Sequence, residues 1–172
     1  MAQFVLSVVG SDRPGLTKAL AAAVVSAGGN WLESHLSRLG GLYVGSVLVE
    51  LEAEGLQTLR AAALAVDDDG LDVRIVSARA EDAAIGEALD FALVGQDRPG
   101  IVDQLTAVLS GLHANIETFK TWIDEGSHSG IPLFHAQGRL RLPPGLDAAR
   151  VQDALEAISA EIMVDIAVTP VA

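Results

Sequence analysis

The chain has 172 residues, of which 11 are basic and 23 acidic, and its formal charge of −12 repels the phosphate backbone that dominates nucleic-acid affinity. Direct DNA or RNA binding is therefore disfavoured, and without cysteine the chain builds neither a disulfide framework nor a thiolate metal site. Hydrophobic residues make up 50% of the chain but aromatics only 4%, so the core must come from Ala, Val, Leu and Ile, as suits helices laid on a sheet.

Phe4 to Val9 is apolar on both faces and predicts a central strand ended by Gly10. After the turn Asp12, Arg13, Pro14, Gly15, the residues Leu16, Ala19, Leu20, Ala23, Val24 and Ala27 fall at helical spacing, and Gly28 and Gly29 stop that helix. Trp31 to Leu39 and Leu42 to Glu52 predict two strands around the hairpin glycines Gly40 and Gly41. A helix follows over about 56–66, and Leu71, Val73 and Ile75 alternate with polar residues in a half-buried last strand.

Asp97, Arg98, Pro99, Gly100 then repeats the turn 85 positions after the first, and Asn115 follows Asn30 at the same interval. The order also repeats: a strand through Phe91 to Val94, a helix carrying Ile101, Leu105, Val108, Leu109 and Leu112, a strand from Asn115 to Ile123, a Gly/Ser-rich hairpin over 125–132, a helix over about 147–160 and a final strand. The last strands match at an offset of 93, which predicts a second hairpin longer by eight residues. The chain thus divides into domain 1 (1–80), a linker (81–87) and domain 2 (88–172). The class is α+β: a βαββαβ unit closes as an antiparallel four-stranded sheet with two helices on one face. Each copy buries only about 60% of its unfolded surface and leaves open edges, so packing between copies and a homo-oligomer are expected.

The first turn of a helix offers backbone N–H groups and partial positive charge to a carboxylate, and Gly15 and Gly100 let a ligand approach the backbone. Asp12 and Asp97 could accept from an ammonium group. Asn30 and Asn115, expected at the same sheet end as the loop, add a donor and an acceptor, and the set suits a zwitterionic amino acid. Capping accounts for part of the same pattern, since Asp is a good N-cap, Pro suits the first turn and Asn tolerates the left-handed conformation after a helix. Capping does not require Arg13 and Arg98.

The βαββαβ order, the Asp-Arg-Pro-Gly loop and the Asn after the first helix resemble the ACT domain, a regulatory module that commonly binds amino acids. The tandem arrangement, with Asn115, Ile116, Glu117 and the long second hairpin, resembles the glycine cleavage system transcriptional repressor family. The resemblance implies a ferredoxin-like fold, a small amino acid such as glycine held at domain interfaces, and regulation through a protein partner. Carried over by position, the ligand-facing candidates are Asp12, Arg13, Pro14, Gly15, Leu16 and Asn30, then Asp97, Arg98, Pro99, Gly100, Ile101 and Asn115.

Other chemistries fit poorly. A P-loop over Gly10 to Lys18 needs Lys where Leu16 stands, and the second copy has Ile101 and Val102 at the Lys and Ser/Thr positions. Asp67, Asp68, Asp69 and Gly70 open like a calcium loop, but its closing carboxylate position is Ala78. His35, His113, His128 and His135 lack metal-ligand spacing, Trp31 and Trp122 read as packing residues, and His128 between two serines could belong to a mobile lid. No nucleophile and base stand together, so neither catalysis nor a cofactor is expected. No apolar run approaches the ~20 residues a bilayer needs, and no basic segment precedes the short N-terminal one, so a soluble cytoplasmic protein is expected. The two functional expectations are a non-catalytic amino-acid sensor acting through a transcription factor and a ligand-free regulatory subunit or adaptor of a metabolic enzyme.

Overall fold

The computed structural model describes residues 1–67, 70–79, 85–125, 131–162 and 164–171, with the side chains of 67 and 160–162 left out. Residues 80–84 of the linker region, 126–130 of the second hairpin with His128, and Asp68 and Asp69 lie outside the described residues. The chain forms two compact units, Met1–Glu81 and Asp82–Ala172.

In the first unit, β1 (Ala2–Ser11), α1 (Leu16–Ser26), β2 (Asn30–Leu39), β3 (Leu42–Leu51), α2 (Gly55–Asp67) and β4 (Leu71–Ser77) follow one another. The second unit repeats them as β5 (Ala88–Gln96), α3 (Ile101–Gly111), β6 (Asn115–Glu125), β7 (Pro132–Arg141), α4 (Ala148–Ile162) and β8 (Val164–Pro170). The sheets run β2-β3-β1-β4 and β6-β7-β5-β8, every pair antiparallel, which is the ferredoxin-like order.

Alternation builds the cores. Phe4, Leu6 and Val8 point from β1 into a core with Val47, Val49 and Leu51, and Leu20 and Leu59 press onto it from the helices. In the second unit Leu89, Phe91 and Leu93 play the same part beneath Leu105, Leu109 and Leu155. Gly40 and Gly41, at φ 59° and 83°, close β2 to β3 in the two-residue turn that needs positive φ at both positions.

Three expectations are revised. The residue that takes the left-handed conformation after α1 is Gly28 (φ 68°), and after α3 it is His113 (φ 56°); neither asparagine does so, because each already begins a strand. Asn30 pairs with Glu50, which pairs with Gln3 at the start of β1, whereas the loop leaves β1 at its far end. Asn115 likewise pairs with Arg141 beside Ala88. The helix carries the chain back along the sheet, so loop and asparagine of one unit sit at opposite sheet ends, roughly 25 Å apart along the strand. Finally, the added length in the second unit is split. Gly10 faces Tyr43 and Leu71, while Gly95 faces Phe134 and Val164, offsets that place six extra residues in the β6–β7 hairpin and two between β7 and β8.

Candidate functional site

Each Asp-Arg-Pro-Gly loop leaves the central strand of its sheet and enters a helix at a glycine in the left-handed conformation, Gly15 at φ 96° and Gly100 at φ 93°. No side chain caps either helix; the first helical bonds run from Ala19 N–H to the Gly15 carbonyl (2.9 Å) and from Gln104 N–H to the Gly100 carbonyl (3.0 Å). Asp12 and Asp97 are therefore not N-caps, and the first-turn N–H groups keep no capping side chain. The capping account of these aspartates fails on this geometry.

The predicted residues divide by environment. Asp12, Arg13, Pro14, Asp97 and Pro99 are exposed around the loops, and Arg98 is half-buried. Leu16 and Ile101 are core residues, 3% and 2% exposed, so they serve the site through backbone far more than through side chain. Asn30 and Asn115 are exposed but belong to the other sheet end. One unit thus brings together its loop residues and its helix start, and leaves its asparagine out.

Around the first loop, Arg38 Nε lies 3.2 Å from Asp12 Oδ2, and the Thr17 and Tyr43 hydroxyls share a hydrogen bond of 2.6 Å. Both contacts tie loop and helix start to the β2–β3 hairpin. Around the second loop, the Asp97 N–H donates to the Pro132 carbonyl (2.9 Å), and Arg98 Nη2 donates to Gln104 Oε1 (2.7 Å). The Arg98 Nε is buried without an acceptor. A cleft of about 520 Å³ opens there, lined among others by Asp97, Arg98, Val102, Asp103, Ile123 and Phe134.

The partners from the hairpins escaped the sequence reading. Arg38 and Ile123 occupy equivalent places by the 85-residue interval, as do Thr17 and Val102, and that signal was present in the chain. Tyr43 and Phe134 are equivalent only through strand register, each facing the glycine before the loop.

The remaining candidates have structural settings. Trp31 packs half-buried against the first core, and Trp122 stacks on His135 at 4.9 Å. His35 Nε2 lies 2.9 Å from Glu33 Oε1. Among the described residues no group of three His, Asp or Glu side chains is placed to hold a metal ion. No helix among them is long and apolar enough to cross a membrane.

Comparison with known proteins agrees with this fold. Residues 2–76 match the family model of the ACT domain. The glycine cleavage system transcriptional repressors of Escherichia coli (strain K12) and Shigella flexneri are each 26% identical over 165 residues, covering 92% of this chain and 84% of theirs. The crystal structure of an unknown protein from Galdieria sulphuraria is 28% identical, covers 99% of both chains and superposes with a TM-score of 0.82. That of a protein provisionally described as a glycine cleavage system transcriptional repressor shares the fold at 16% identity and a TM-score of 0.72, covering 99% of this chain and 97% of its own. The ACT domain match thus falls on the first unit, the second unit repeats its βαββαβ order, and the chain over most of its length is similar to these repressors.

Proposed function

We propose that the chain is a cytoplasmic regulator with no chemistry of its own, in which a small α-amino acid bound at a repeated loop biases association with a protein partner that controls transcription. The supporting observation is the similarity to repressors across 92% of the chain. The loop geometry gives the reading its chemistry: uncapped N–H groups at a helix start suit a carboxylate, and the adjoining aspartate suits an ammonium. The name of the relatives makes glycine the first ligand to test.

The ligand acts only through its difference in affinity for the free and the associated protein. Since loop and asparagine of one module are at opposite sheet ends, a ligand touching both must draw them from different copies of the module.

With a charge of −12, control of transcription runs through a DNA-binding partner. Affinity capture from the source cell, with and without added amino acid, is expected to recover a transcription factor in a ligand-dependent amount. Recovery of a metabolic enzyme alone would favour the adaptor reading. Retardation of DNA by the isolated chain at physiological salt would overturn the indirect mechanism.

A further inference from the structure

The two loops share their sequence but not their walls, and the differences fall on three equivalent positions. In the first unit Arg38 on β2 reaches Asp12, and Thr17 on α1 bonds Tyr43 on β3. The second unit replaces these with Ile123 on β6, Val102 on α3 and Phe134 on β7. Where the first unit places a cation against the loop carboxylate, the second places a hydrocarbon wall. Asp97 has no ion-pair partner among the described residues. Arg98 lines the same cleft, its guanidinium held from the helix side by Gln104 Oε1 at 2.7 Å.

We infer that the cleft of the second unit binds an α-amino acid with an apolar side chain of leucine size, in preference to glycine. This rests on the amino-acid reading above and specifies the ligand at one of its two loops. The carboxylate sits at the start of α3, where no side chain caps the first-turn N–H groups and the Arg98 guanidinium lines the same cleft, and the ammonium meets Asp97. The side chain lies against Val102, Ile123 and Phe134. At about 520 Å³ the cleft falls within the range of roughly 300–1,000 Å³ of small-molecule sites, and glycine would leave its apolar wall wet. Each methylene buried there is worth about fourfold in affinity. Leucine should therefore exceed glycine by at least about tenfold.

The test is isothermal titration calorimetry on the full chain with L-leucine, glycine and N-acetyl-L-leucine. L-leucine is expected to bind at least tenfold tighter than glycine, and N-acetyl-L-leucine, which offers Asp97 no ammonium, to bind at least tenfold weaker than L-leucine. Ile123→Arg installs the cation of the first unit and is expected to weaken L-leucine at least tenfold. Ile123 is 58% exposed, so the fold should tolerate this, and Ile123→Thr gives a milder second variant with severalfold weakening. Circular dichroism melts confirm that both variants are folded. Glycine binding as tightly as L-leucine would overturn this inference and leave the amino-acid sensor standing. L-leucine binding unmoved by both variants would overturn the location, and silence towards every common amino acid would remove the parent reading as well.

Discussion

In the first unit the loop is fastened by polar contacts and one row of the open sheet face is apolar across β3, β1 and β4; in the second the loop is walled by hydrocarbon and the equivalent row is charged. The row Leu48, Val5, Val76 across β3, β1 and β4 becomes Arg139, Asp90, Thr169 across β7, β5 and β8. Arg139 donates to both Asp90 carboxylate oxygens, at 2.8 and 3.1 Å, and Arg141 does the same to Glu117, at 2.9 and 3.2 Å. The exchange shows how a duplicated scaffold specialises. The buried alternation that sets the fold is kept, while the side chains that border the loop and cover the open face change freely.

If the copies differ only at their margins, their cores should respond alike. Leu20 and Leu105 occupy equivalent helix positions, and both are fully buried. Leu20→Ala and Leu105→Ala are each expected to cost about 2–5 kcal/mol, from lost burial and the cavity left behind. Urea unfolding measures both, and a loss confined to one variant would break the equivalence. At the loops, Gly15 and Gly100 have open space where a Cβ would stand, so an added methyl meets strain in the backbone alone. Gly15→Ala and Gly100→Ala should each cost about 1–2 kcal/mol by the same measurement.

The polar fastening of the first loop is weaker. Arg38 and Asp12 are 72% and 36% exposed, so Arg38→Ile should cost about 0–1 kcal/mol, and the cost should vanish in molar salt. Its larger effect is expected on recognition: with Tyr43→Phe added, the first loop acquires the apolar border of the second. Calorimetry should then register a second equivalent of L-leucine where the parent chain takes one. A stoichiometry that stays at one would sever the link between these walls and binding.

Much of this architecture was legible in the chain because its signals are periodic. The 85-residue interval, the glycines at turns and the alternation of apolar residues located eight strands and four helices. The asparagines were misplaced because sequence adjacency hides direction: α1 returns the chain along the sheet, so Asn30 begins β2 beside Gln3. The unlike walls were missed for a related reason. Phe134 aligns with Tyr43 only once strand register divides the inserted residues between two connections, and before that the apolar border of the second loop cannot be assembled.

The smallest expected effect tests the charged row of the second open face. The Asp90 carboxyl is held below its usual range chiefly by the hydrogen bonds from Arg139, with the nearby positive charge adding to them. A carboxyl whose folded value is depressed contributes stability above its unfolded value, and that contribution fades as pH falls through the folded value. The exposed pair is screened by solvent and salt, so the contribution is small. Carbon-detected NMR titration should place Asp90 below exposed aspartates of the same chain, and Arg139→Gln should return it towards them. An Asp90 that titrates with the exposed aspartates, or that Arg139→Gln leaves unmoved, would show that the pair does not hold the carboxylate in solution and that the charged row carries no electrostatic difference from its apolar counterpart.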